Sequence, residues 1–148
     1  MKRVTDYGEE NNINLKLVLV LGKNIKKLKL KLIELAKEYG ITTAQFSVLE
    51  ALYHKGPLTV NEIIEKTFSS SGNISLVVNN LCKEGFTAKN ENHEDKRSKM
   101  ISLTEKGEKL MVNLFPVHMM QLGEMMNHMS LNEKQGIIEN LKKLGKGV

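Results

Sequence analysis

The sequence predicts a mostly α-helical fold that contains one small β-hairpin. Three observations predict it: long apolar stripes of helical period near both ends, capping boxes that start shorter helices between them, and two strand-like runs around a polar connection. The chain has 148 residues, of which 41% are hydrophobic. This length suits one folding unit with a core better than two domains.

The first helix is predicted by apolar residues that recur at steps of three and four. They are Val18, Leu21, Ile25, Leu28, Leu32, Leu35 and Tyr39. Gly40 can end this helix. Residues 28–32 alternate as a strand would, but the stripe continues on both sides of them, so the helix is preferred.

Two capping boxes predict the next helices. Thr42 with Gln45 and Thr59 with Glu62 match the pattern in which a hydroxyl and a side chain three residues on cap each other's backbone N–H. Residues 54–57 separate them and contain Gly56 and Pro57. They are predicted as a turn, because glycine frees the backbone and proline lacks a donor.

A third short helix and a hairpin follow. The helix is predicted at residues 69–84, before Gly85, because its apolar residues share one face and its polar residues another. Residues 86–90 and 99–103 are predicted as strands. The charged connection at residues 91–98 is longer than a tight turn and should project.

The last two helices begin at hydroxyl residues. Thr104 can cap a helix that should bend near Pro116, and Ser130 with Glu133 forms a third capping box. Three short helices followed by a two-stranded wing form a winged helix-turn-helix, in which the third helix is available for the major groove of DNA.

The wing region resembles the MarR family of transcriptional regulators, and the resemblance covers essentially the whole chain. In residues 95–107, an aspartate and an arginine two apart precede a strand that ends in Leu-Thr-x-x-Gly. Leu81 with Gly85, and Leu49 with Leu52, support the match. The resemblance implies a homodimer in which the helices of residues 1–40 and 105–148 interlock, with residues 41–104 as the DNA-binding region of one folding unit. Residues 53–56 and 71–74 look most similar to regulators of quinone and phenol stress.

The resemblance places the start of the third helix in the major groove. The residues concerned are Ser70, Ser71, Gly72, Asn73, Ser75, Leu76 and Asn79. Many relatives have arginine or lysine where this chain has Leu76. Since asparagine suits adenine and leucine can touch a thymine methyl, we expect an A·T-rich operator. The alternative is a solvated helix face without function.

The wing should contact DNA through Asp95, Lys96, Arg97, Ser98 and Lys99. Arg97 is one of only two arginines in a chain rich in lysine, which indicates a need for guanidinium. A planar, weakly hydrated cation suits a narrow minor groove, and Asp95 could fix its orientation. The alternative is an exposed ion pair worth about 0–1 kcal/mol.

Composition favours a cytoplasmic protein with no membrane partner. The net charge is +5, which fits a polyanionic partner but is common elsewhere. Cys82 is the only cysteine, so no disulfide or cysteine zinc site is expected. The longest apolar run, residues 15–21, is far below the roughly 18 residues of a membrane span. Acidic residues near the start of the chain disfavour a signal peptide.

No enzyme, cofactor or metal site is expected. Nucleophile elbow, P-loop, dinucleotide and metal motifs are all missing from the sequence, and the four histidines show no tight ligand spacing. The leading hypothesis is an effector-responsive repressor that binds a palindromic, A·T-rich operator as a homodimer and responds to phenolic, quinone or oxidative stress. The alternative is a non-enzymatic interaction module that has lost DNA binding.

Three further features have two readings each. Six methionines between residues 111 and 129 could line a pocket for an apolar or phenolic effector, although core and dimer packing is preferred. Cys82 could be a redox switch, although a passive thiol is preferred. The lysines of the first helix could lie on a membrane surface, although solvated lysines beside a dimer seam are preferred. No residue is assigned to effector binding.

Overall fold

The computed structural model describes residues 5–67 and 71–148, and within them the chain forms six helices and three short strands. Their order is α1 (Glu9–Glu38), α2 (Thr43–Lys55), β1 (Leu58–Thr59), α3 (Val60–Lys66), α4 (Ser71–Lys83), β2 (Thr87–Glu91), β3 (Lys99–Leu103), α5 (Glu105–Met126) and α6 (Leu131–Lys146). The mostly helical fold with a small β wing is confirmed.

The predicted capping boxes are all present. At the start of α2, the Thr42 backbone N–H donates to Gln45 Oε1 at 3.0 Å, and the Gln45 N–H donates to Thr42 Oγ1 at 3.1 Å. Thr59 with Glu62 starts α3 in the same way, and Ser130 starts α6. These starts were predictable because a cap depends on residues three apart in the sequence.

The long first helix is also confirmed, and the strand alternative for residues 28–32 is wrong. α1 ends at Glu38, and Gly40 follows with φ of +72°. The predicted turn at residues 54–57 begins too early, because α2 continues through His54 and Lys55 until Gly56 ends it at φ +77°. Glycine adopts this left-handed conformation without steric cost.

The sheet has one strand more than predicted. β3 lies in the centre, paired antiparallel with β2 on one side and with β1 on the other. Leu58 of β1 lies opposite Ile101, and Thr59 lies opposite Met100. This two-residue strand ties the wing to the start of α3.

The chain forms two compact units, the first ending at Met111 and the second running from Val112 to Val148. The core of the first unit lies where α2, α3 and α4 pack together and against the sheet. Its fully buried side chains include Phe46, Leu49, Ile63, Ile74, Leu81 and Ile101. This core fixes α4 relative to the wing.

The second unit consists of the rest of α5 and all of α6. α5 continues through Pro116 without interruption. No residue of α6 is buried, although the helix carries an apolar stripe. Across residues 5–67 and 71–148, the structure contains no helix with the length and apolar character needed to cross a membrane.

Candidate nucleic-acid interface

The two faces of α4 have opposite character. Ile74, Val78 and Leu81 are at most 1% exposed, because they face α2 and α3. The opposite side is exposed and holds four of the predicted recognition residues, Asn73, Ser75, Leu76 and Asn79. Ser71 and Gly72 belong to the first turn of α4, whereas Ser70 lies outside the described residues.

Most of this surface carries no charge. From Ser71 to Leu81 the helix has no acidic or basic residue, and its one cation, Lys83, lies in the last turn. Further positive charge comes from the neighbouring strand, where the Lys89 ammonium donates a hydrogen bond to Asn79 Oδ1. The sequence alone did not indicate Lys89. Its side chain lies on the same face of β2 as Thr87, but its partner Asn79 lies ten residues earlier on α4, so no local pattern pointed to the contact.

The tip of the wing is a turn built around Asp95. Its Oδ1 accepts from the Arg97 backbone N–H at 3.0 Å and from Arg97 Nε at 3.3 Å. Its backbone carbonyl accepts from the Ser98 N–H at 3.1 Å. The expected Asp95–Arg97 pair is therefore present. The Arg97 side chain is 94% exposed, so the turn holds a guanidinium out toward solvent.

The other wing residues surround this turn. Lys96 is exposed. Ser98 Oγ accepts from Asn92 Nδ2 at 2.8 Å, which closes the base of the turn. Lys99 lies opposite Glu91 in the strand register, with 3.9 Å between Lys99 Nζ and Glu91 Oε1. The structure thus places the five predicted wing residues in the turn and at the first position of β3, where all but Ser98 are exposed.

A junction of α4, β2 and α5 fixes the wing relative to α4. Gly85 ends α4 with φ of +81°. The Thr104 hydroxyl donates to the Gly85 carbonyl, and the Thr104 N–H donates to the Phe86 carbonyl at 3.1 Å. The Gly107 N–H donates to Thr104 Oγ1 at 3.2 Å, which caps α5. These contacts give a physical reason for the Leu-Thr-x-x-Gly pattern.

Two further side chains hold the end of α4. Lys106 Nζ donates to the Glu84 carbonyl at 2.7 Å and lies 4.5 Å from the centre of the Phe86 ring. The buried Gln45 amide donates to the Glu84 carboxylate at 3.2 and 3.3 Å. The Gln45–Glu84 contact could not be predicted from the sequence, because it joins residues 39 positions apart.

The remaining candidates have different surroundings. Cys82 is half-buried, and its Sγ lies 3.2 Å from Thr87 Oγ1. Met111 belongs to the core, whereas Met119 and Met120 are 42% and 59% exposed. Residues 5–67 and 71–148 contain no cluster of three or more His, Cys, Asp or Glu side chains that could hold a metal ion.

The sequence is similar to known transcriptional regulators. Residues 29–114, more than half of the chain, match the family model of the transcriptional regulator SarA/Rot. The HTH-type transcriptional regulator YkoM of Bacillus subtilis (strain 168) is 30% identical over 145 residues, which cover 98% of this chain and 94% of the relative.

Solved structures share the fold. A MarR family transcriptional regulator from Silicibacter pomeroyi DSS matches with a TM-score of 0.81 and 23% identity, covering 98% of this chain and 97% of the other. MepR of S. aureus, in a complex with DNA, matches with a TM-score of 0.79 and 22% identity, covering 88% of this chain and 97% of the other.

Proposed function

The chain belongs to the SarA/Rot family of transcriptional regulators, and from this premise we propose that it binds operator DNA as a homodimer and represses transcription until an effector releases it. The observation that carries the proposal is an exposed α4 face, uncharged from Asn73 to Asn79, beside a wing whose Arg97 side chain is 94% exposed. The proposal includes no catalytic step, and it places the protein in the cytoplasm with the DNA.

α4 would read the major groove. The groove shows each base pair as a distinct pattern of donors, acceptors and methyl groups, which neutral side chains can match. Asn73, Ser75 and Asn79 supply hydrogen-bonding groups, and Leu76 is 59% exposed and can touch a thymine methyl. Ser70, Ser71 and Gly72 complete the proposed reading segment. This chemistry supports an A·T-rich operator.

The wing would bind the minor groove. A narrow minor groove concentrates negative potential and attracts an inserted arginine. Arg97 reaches solvent while Asp95 holds its backbone and its Nε, so the side chain loses less entropy when it docks. Lys96 and Lys99 would contact phosphates, and Ser98 would keep the turn closed.

Exposed apolar surface at both ends of the chain supports a homodimer. On α1, Ile13, Leu17 and Val20 are 47–59% exposed. On α6, Ile137 and Leu141 are 45% and 43% exposed. Such stripes on regular helices favour burial against another helix, and a second copy of the chain offers the same stripes. Residues 1–40 and 105–148 would then dimerise around the DNA-binding region of residues 41–104.

Dimer symmetry determines the form of the operator. A two-fold dimer presents two recognition helices related by the same axis, so it fits a palindrome whose half-sites lie about one helical turn apart. An effector that prefers a dimer with a different helix spacing would lower operator affinity by population shift. The exposed methionines suit a small apolar or phenolic effector, as would arise in phenolic, quinone or oxidative stress.

Selection of bound fragments from the protein's own genomic DNA, followed by gel shifts at two salt concentrations, tests the proposal. We expect an A·T-rich palindrome bound by two copies, with an affinity that falls as salt rises. A chain that selects no sequence and shows no salt-dependent DNA binding would be an interaction module instead. A phenolic ligand should then be titrated into the complex, where release of DNA supports the effector and retention of DNA contradicts it.

A further inference from the structure

A lysine of the wing orients one of the side chains that project from α4. Thr87 and Lys89 are two residues apart on β2, so both extend from the same face of the strand. Thr87 lies against Cys82 of α4, and Lys89 lies against Asn79, one helical turn earlier. β2 therefore runs back along α4, and it brings the Lys89 ammonium group to the proposed reading surface on α4.

The chemistry of this contact determines which end of the Asn79 amide faces Lys89. An ammonium group has three donors and no acceptor, so it must meet the amide oxygen. The Lys89–Asn79 hydrogen bond accordingly holds Oδ1 and turns Nδ2 the other way. A free asparagine reads adenine with both ends of its amide, accepting from N6 and donating to N7. With Oδ1 held by Lys89, Asn79 is better suited to donate.

We propose that Lys89 and Asn79 act together as a donor pair that reads a guanine in each operator half-site. Guanine is the base that offers two adjacent acceptors, N7 and O6, on its major-groove edge. The pair supplies donors from Asn79 Nδ2 and from the remaining N–H groups of Lys89. The inference rests on the proposed function and refines it, because it places one specific G·C pair within an A·T-rich palindrome.

The exposed positions of both residues allow a test that leaves the core unchanged. The full chain would be measured against the selected operator and against duplexes in which each base pair is changed singly. Lys89→Gln and Asn79→Ala should each lose roughly tenfold in discrimination at the same G·C pair. The double variant should lose no more than either single variant, since the two residues act as one unit.

Lys96→Gln is the matched control, because it removes the same charge from the wing away from Asn79. It should weaken binding to all duplexes alike, as loss of a phosphate contact does. If Lys89→Gln behaves in the same uniform way, or if the two variants lose discrimination at different base pairs, the inference is wrong while the proposed function stands.

A measurement without DNA tests the contact itself. The side-chain amide signal of Asn79 in an NMR spectrum of the free protein should shift in Lys89→Gln and stay in place in Lys96→Gln. An unmoved signal in Lys89→Gln overturns the inference alone. A wild-type chain that selects no DNA sequence overturns the proposed function, and this inference with it.

Discussion

Replacing Gly107 with alanine tests whether the junction of α4, β2 and α5 depends on a close approach that only glycine allows. A Cβ at residue 107 would stand 2.1 Å from the Phe86 carbonyl oxygen and 3.2 Å from Leu103 Cδ2. The Phe86 oxygen cannot move freely, because it accepts a hydrogen bond from the Thr104 N–H at 3.1 Å. The start of α5 must therefore shift away from β2.

The cost follows from three contributions. Forcing a methyl group into a packed site costs about 1–3 kcal/mol. Weakening the hydrogen bond from Thr104 to Phe86 adds about 1 kcal/mol. Alanine recovers about 1 kcal/mol through its better helix propensity. We expect Gly107→Ala to lower the free energy of unfolding by about 2 kcal/mol, and Tm by roughly 4–8 °C.

Gly123→Ala in the same helix is the control. A Cβ at residue 123 meets no atom within 4 Å, so the propensity gain should remain and raise the unfolding free energy by about 0.5–1 kcal/mol. Chemical denaturation followed by circular dichroism measures both variants. Gly107→Ala should also weaken operator binding, because the junction sets the position of the wing. A Gly107→Ala protein as stable as wild type would refute the steric argument.

Three other perturbations have defined outcomes. Arg97→Lys keeps the charge but loses the guanidinium, so gel shifts at equal salt should show weaker operator binding; unchanged affinity would contradict the minor-groove role. Ile137→Asp places a charge in the exposed apolar stripe of α6. In sedimentation velocity this variant should be a monomer, whereas the control Asn132→Asp should remain a dimer. A dimer in both variants would contradict this interface. Hydrogen bonds from Ser130 hold the pKa of Glu133 below its ordinary value of 4.5; the backbone N–H has the larger effect and the hydroxyl the smaller one. The ionised Glu133 carboxylate therefore stabilises the fold above pH 4.5, and this stabilisation is lost as pH falls through the lowered pKa. Glu133→Gln should lose less stability than wild type between neutral and acidic pH. Equal losses of the two proteins in denaturation experiments would contradict the capping role.

Local sequence was sufficient to predict the starts of α2, α3, α5 and α6, but not every strand. The capping boxes at Thr42 and Thr59 depend on residues three apart, and all their atoms meet within one turn of chain. β1 has only two residues, and its strand character arises from pairing with Ile101 and Met100 about 40 positions later. A segment this short carries no periodicity of its own, so only the folded chain reveals it.

The candidate interface shows the same division between local and distant contacts. Asp95 and Arg97 lie two residues apart, and their contact was predicted from the sequence. Lys89 was missed because its partner, Asn79, lies ten residues earlier, across the end of α4 and the turn at Gly85. Its position becomes predictable only once β2 is known to run back along α4.

In the proposed complex, charged residues on the wing would supply most of the affinity for DNA, and neutral residues on α4 would read the sequence. The exposed face of α4 is neutral from Asn73 to Asn80 and carries Lys83 only in its last turn, whereas the cations Lys89, Lys96, Arg97 and Lys99 all lie on the wing. Phosphate contacts release counterions and weaken as salt rises, while contacts between neutral groups and base edges do not depend on counterions. Raising salt should therefore lower affinity for the operator and for unrelated DNA in parallel. The ratio of the two affinities should change far less than either affinity alone. The exception is the contribution of the Lys89 ammonium to base reading, which should weaken as salt rises.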